Sequence, residues 1–202
     1  MAVAPTRARG SNARVIAAFQ TAPGAVPANN GGWFRVPFVS HSLGEERPLI
    51  ASDLLGQGRE MQDPTADVAT NDGDIVVPVD VRNFGRWLKL FFGEGDTTGT
   101  GPYTHTFTSG KDLLPSMAIE IGAPEVPSFS THYGARGNQL RIGMSRSGLL
   151  NATVSLICIG ETAPVVATVG PADPAALETI RFPKATGSVK KDGAEGEAIL
   201  DA

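Results

Sequence analysis

The sequence predicts a mainly β protein, an antiparallel β-sandwich or barrel with one flanking α-helix and long extended loops. Three observations carry this. Apolar residues alternate with polar ones in several short runs, the period of half-buried strands. The 24 Gly and 15 Pro among 202 residues are numerous enough to punctuate those runs with turns. Only residues 83–92 switch to a strong helical spacing, with Phe84, Trp87, Leu88 and Phe91 at i, i+3, i+4 and i+7.

Residues 1–32 are rich in Ala, Pro, Gly and Asn and carry Arg7, Arg9 and Arg14. Within them only residues 15–19 are apolar enough to pack, so the segment reads as an N-terminal arm or lead-in strand. Residues 33–160 form the main β domain. Its first strand, residues 33–39, is interrupted by Pro37 and is therefore an edge strand. Residues 40–72 make a long loop with a small apolar cluster at Leu49, Ile50, Leu54 and Leu55. A connection of that length is expected to reach something. Ile75, Val77 and Val79 then alternate with Val76, Pro78 and Asp80 in a strand that turns directly into the helix. Asn83 is placed to cap the helix and Gly93 to end it. Burying Phe84, Trp87, Leu88 and Phe91 contributes about 6–12 kcal/mol before entropy.

Residues 93–102 read as a flexible turn. Strand candidates follow at Tyr103, His105 and Phe107, at Met117, Ile119 and Ile121, at Leu140, Ile142 and Met144, and at Ala152, Val154, Leu156 and Cys158. The Arg146-Ser147-Gly148 run joins the last two as an antiparallel pair. Residues 161–202 lose the pattern at Pro164, Pro171, Pro174 and Pro183. They form an extension leading to a further strand near Ile199 that reads as cut short at Ala202.

Composition narrows the function. A hydrophobic fraction of 41% supports a packed core, and a net charge of −4 provides no general attraction to nucleic acid. One cysteine, Cys158, allows no internal disulfide and suits a reducing compartment. No secretory signal opens the chain, and the apolar stretch at 149–160 is too short to span a membrane. A soluble protein of the cytosol is expected.

The search for chemistry ends empty. His41, His105 and His132 lie far apart without ligand spacing and read as structural. Asp72-Gly73-Asp74 lacks the rest of a calcium loop and reads as a solvated turn before a strand. The glycines of 93–101 lack a Gly-Lys-Ser/Thr ending and follow a helix instead of preceding one. Asn151-Ala152-Thr153 is a chance glycosylation sequon. Arg136, Arg141 and Arg146 recur every five residues, which alternates faces on a strand and makes no basic stripe. Aromatics, at 6%, are not interleaved with basic residues, which argues against a base-stacking platform. Catalytic, cofactor and metal sites are each read as none.

Five segments in order resemble a known family. They are the strand and helix of 73–93, the run from Tyr103 to Gly110 (Tyr-Thr-His-Thr-Phe-Thr-Ser-Gly), the run from Leu114 to Ile121 (Leu-Pro-Ser-Met-Ala-Ile-Glu-Ile), residues 133–142 and residues 148–156. Their order and spacing resemble the tail tube proteins of long-tailed bacteriophages over about residues 45–160, and more loosely over 177–202. The resemblance implies a non-enzymatic virion protein of the tail, assembled in the bacterial host cytoplasm. It implies hexameric rings stacked into a hollow tube through which DNA leaves the capsid. The implied partners are further copies of the chain, a tape measure protein and a tail terminator, with double-stranded DNA passing through without specific binding and no membrane.

In such a ring the stripe of Phe84, Trp87, Leu88 and Phe91 covers the outer face of the inner sheet. Thr104, Thr106, Thr108, Thr153 and Ser155 are candidates for a wet surface facing the lumen. Sheets of neighbouring subunits join edge to edge, and the 40–72 loop and N-terminal arm reach the next ring. Deleting residues 40–60 is then expected to leave a folded monomer that forms no tubes. The alternative is a monomeric β-sandwich binding carbohydrate or a receptor. That reading expects exposed loop aromatics, whereas Trp33 and Trp87 fall in predicted core elements.

Overall fold

The computed structural model describes residues 7–54, 62–143 and 148–182, with the short strands 190–191 and 194–195. Its elements are β1 (Arg14–Phe19), β2 (Phe34–Arg35), β3 (Ser40–His41), β4 (Gly44–Glu46), β5 (Leu49–Ile50), β6 (Thr65–Ala66) and β7 (Thr70–Pro78). The helix α1 (Phe84–Phe92) follows, then β8 (Asp96–Thr98), β9 (Thr104–Thr106), β10 (Met117–Ala123), β11 (Ser128–Gly143), β12 (Asn151–Ile157) and β13 (Gly160–Glu161). Lys190–Lys191 and Ala194–Glu195 pair as β14 and β15. Leu55, Met144, the Arg146–Ser147 part of the predicted turn and the predicted strand at Ile199 lie outside the described residues.

The large sheet is antiparallel, in the order β2-β1-β10-β11-β12-β7-β3. Its two end strands are separated in sequence only by residues 36–39, a stretch that spans at most about 17 Å. The chain itself thus passes directly from one edge to the other, and the sheet curls round into a barrel. Val36 donates its N–H to Val15 O (2.9 Å), and Val39 donates to Val76 O (2.7 Å). Between them the chain changes partner from β1 to β7 at Pro37, which has no N–H to give to either side.

β11 serves both halves of the barrel. Its first half pairs with β10 and its second half with β12, and the register slips once along each pairing. Gly134 sits at φ 67°, and a Cβ there would stand 2.4 Å from the Ile159 side chain. Both the backbone angle and the packing require glycine at that point.

The core fills the barrel. Val15 and Ala17, Ile75 and Val77, Met117 and Ile119, Ala135, and Ala152, Val154 and Leu156 point inward together. Phe84, Trp87 and Leu90 of α1 join the same cluster, so the helix closes the core. Leu90 is its most deeply buried residue, while Leu88 and Phe91 are only partly buried against the cluster. Phe91 packs over Gly137, where a Cβ would approach its ring to 2.6 Å. The capping expected of Asn83 takes another form. Its side chain makes no cap bond and donates instead to the buried Asp80 carboxylate (2.7 Å), which also accepts the Asn83 backbone N–H. Gly93 does end the helix, at φ 81°.

Several loops of the sequence reading are ordered structure. Of the two readings of the N-terminal segment, arm or lead-in strand, β1 is a strand, inside the sheet between β2 and β10 and buried on both faces. Asp72-Gly73-Asp74 belongs to β7 rather than to a turn before it. The predicted flexible turn after α1 contains β8, which pairs with β9. β3 and β4 keep one register along β7, from Ser40↔Val76 to Glu46↔Thr70, so residues 40–46 are a barrel strand. Deleting residues 40–60 would strip β7 of its neighbour, so that deletion does not isolate the loop's role.

Candidate assembly surfaces

Beyond β4 and β7 the chain continues as a hairpin arm, with Leu49 opposite Ala66 and Ile50 opposite Thr65. Asp67 N–H bonded to Pro48 O joins the arm to the barrel strands (2.9 Å). Leu49, Ile50, Leu54 and Val68 are all more than half exposed. Among the described residues this apolar set enters no core, a composition suited to a contact surface.

A second surface is the outward face of the half-sheet formed by β12, β7, residues 40–46 and the second half of β11. Cross-strand pairing lays it out in rows: Arg136–Ile157–Asp72–Gly44, then Gln139–Ser155–Asp74, then Arg141–Thr153–Val76–Ser40. Ser42 completes the second row through its Oγ, which accepts the Asp74 N–H (3.1 Å). Thr153 and Ser155 therefore sit in the middle of a largely polar face. Thr104, Thr106 and Thr108 do not share it. They are exposed on and after β9, whose only ladder among the described residues is with β8. Within that hairpin Thr97 Oγ1 bonds His105 Nδ1 (2.9 Å).

The arginines of β11 correct the sequence reading. Five residues apart, Arg136 and Arg141 would face opposite sides of a regular strand. The register slip between Gly137 and Gln139 adds one residue, leaving Gly137 directed inward under Phe91 and bringing both arginines to the outer face. Periodicity cannot show such a bulge. Arg146 lies outside the described residues.

One end of the barrel is polar inside. His132, 1% exposed, donates from Nδ1 to Asn71 Oδ1 (3.1 Å) and lies 3.8 Å from Glu161 Oε2. Glu45 and Glu161 each accept the other's backbone N–H (3.0 and 3.3 Å), tying the base of the arm to β13. Burial lowers the His132 pKa below its ordinary value, outweighing the Glu161 charge that would raise it. Cys158, beside this cluster, has its thiol pushed up to about 12 by burial and by the Asp72 and Glu161 charges. Among the described residues, no three His, Cys, Asp or Glu side chains are grouped to hold a metal ion.

On the other half of the barrel, residues 161–182 form a strap. Val165 pairs with Phe129, Ala175 O accepts from Arg35, and Ile180 O accepts from Val81. Its middle is held by the buried pair Arg14–Glu120 (3.1 Å). Thr168 Oγ1 and Val169 N–H donate to the Glu120 carboxylate (2.5 and 2.6 Å), and Arg14 donates to Ala172 O (2.8 Å). Beneath the strap Ile16, Ala18, Ala118 and Trp33 make a second small core. Neither Arg14 nor Glu120 was legible as a pair, because nothing in periodicity connects residues so far apart.

No curated protein sequence matches the chain. Among solved structures, the fold is similar to that of a chain from the cryo-EM baseplate of the anti-feeding prophage, with TM-score 0.54 and 12% identity, covering 83% of this chain and 100% of that one. Similarity also extends to the SPP1 tail tube, with TM-score 0.48 and 10% identity, covering 78% of each chain. A further similar chain comes from the sheath–tube complex of an extracellular contractile injection system, with TM-score 0.46 and 11% identity, covering 74% of this chain and 88% of that one. The family model for phage tail tube protein matches residues 10–202, nearly the whole sequence, and the chain belongs to that family of structural tail proteins.

Proposed function

We propose that this protein assembles into hexameric rings that stack into a tail tube, the conduit through which DNA passes into the host. The observation that carries the reading is the hairpin arm, which presents Leu49, Ile50, Leu54 and Val68 to solvent beyond the barrel. An arm of this kind reaches the ring above or below, while sheets of neighbouring subunits join edge to edge and satisfy their exposed N–H and C=O groups. The polar face around Thr153 and Ser155 lines the lumen. Its arginines and aspartates balance, so DNA slides past without a net attraction. Tape measure and terminator proteins occupy the tube and its end, and assembly takes place in the host cytoplasm.

The test replaces residues 49–66 by a short glycine turn, which leaves residues 40–46 on β7. The expected product is a folded subunit with an unchanged melting temperature that forms no tubes in negative-stain micrographs. Normal tubes from this variant would remove the arm from the mechanism.

A further inference from the structure

The polar face of the second half-sheet is charged oppositely at its two sides. Arg136 and Arg141 stand on β11, exposed, and among the described residues neither makes an ion pair. Asp72 and Asp74 stand on β7, also exposed and likewise without an ion pair among the described residues. All four belong to the same face, and Arg136 and Asp72 share one cross-strand row. The edge of β11 beyond the arginines, residues 136–143, pairs with no strand among the described residues; β10 stops opposite Ala135. At the far side of the sheet, residues 40–46 form the last strand, and on this face it carries only the small Ser40, Ser42 and Gly44 before Glu46.

We propose that the seam between neighbouring copies is an electrostatic clasp in which Arg136 and Arg141 of one copy meet Asp72 and Asp74 of the next. The proposal rests on the edge-to-edge reading above and names the residues that select the partner edge. With the free edge of β11 laid against residues 40–44 of a second copy, short of Glu45, whose edge N–H already bonds Glu161 Oε2 (3.0 Å), β7 of that copy lies two strand spacings away, about 10 Å. The guanidinium groups lean across Ser42 and Gly44, which have no bulk to block them, toward the two carboxylates. The same arrangement rejects wrong pairings. Two β11 edges would bring four arginines together, and two opposite edges would leave all four arginines without a carboxylate to meet. The seam is thus head-to-tail, as a closed ring requires.

The test uses two charge-reversed full-length chains. One carries Arg136→Glu with Arg141→Glu, and the other Asp72→Lys with Asp74→Lys. Each alone is acidic or basic on both sides of the face and should lose assembly by about tenfold or more in sedimentation and micrographs. Mixed in equal amounts they should assemble, because every seam of an alternating ring again joins opposite charges, and an even-numbered ring closes. Variants that assemble alone as the unaltered chain does would overturn the clasp and leave the ring standing. So would a mixture that fails to recover. An unaltered chain that forms no rings overturns the ring reading and the clasp together. If circular dichroism shows that a reversed chain does not fold, the neutral set (Arg136→Gln, Arg141→Gln, Asp72→Asn, Asp74→Asn) replaces it. Its assembly should lose the salt dependence of the unaltered chain, and a salt dependence that persists would refute the clasp.

Discussion

Single residues decide how tightly this barrel closes. Gly137 is needed because the Phe91 ring occupies the place of its Cβ. Gly137→Ala should destabilise the fold by about 1–3 kcal/mol through overpacking, measured by chemical denaturation. His132 has a pH signature with a definite sign. Its folded-state pKa is lowered, so its neutral form is favoured in the barrel. The associated stability is fully present above the ordinary value of 6.5 and is lost as the pH falls through the lower folded-state value. The melting temperature should therefore drop between about pH 7 and pH 5, and His132→Gln should flatten that drop. A pH-independent melting temperature in the unaltered chain would refute the assignment. His41, also lowered by burial, adds to the same slope.

At the scale of elements, the strap and the arm were the hardest to read from sequence. Residues 161–182 carry no alternation because they meet the barrel through isolated bridges and one buried ion pair, not through a continuous ladder. Removing one partner of that pair leaves the other buried without its counter-charge. Glu120→Ala should cost about 3–5 kcal/mol, and the combination Arg14→Met with Glu120→Leu should recover most of it. Equal losses for the single and combined variants would show that the charges do not act as a pair. Elements built on unbroken alternation were legible: β7, β10 and β12 fall where Ile75, Met117 and Val154 placed them. The helix was legible too, although Leu90 was missed because Leu88 and Phe91 fitted the simple heptad spacing equally well. The first half of β11 was hidden by its polar composition and by Gly134, whose bulge breaks the period of two.

For the whole molecule, the mainly β class, the lone helix and the tail-tube family follow from local patterning and from the order of segments. The closure of the barrel does not, since it depends on the chain changing sides at Pro37. Nor does the candidate clasp: Arg136 and Arg141 share a face only through a bulge that no residue type announces. The arm was legible only as a long connection, because two-residue strands such as β5 and β6 are too short to show a period.

The pairing of β1 with β10 also bears on how the subunit is made. Ala17 must wait for Ile119, about a hundred residues later in the chain, before its strand has a long partner. At ordinary rates of translation that delay is about 5–20 seconds. Throughout it a strand of five consecutive apolar residues, with only the two residues of β2 to pair with, is exposed to chaperones and to other nascent chains. Yield in the cell should therefore depend on how quickly the second half of the chain follows the first.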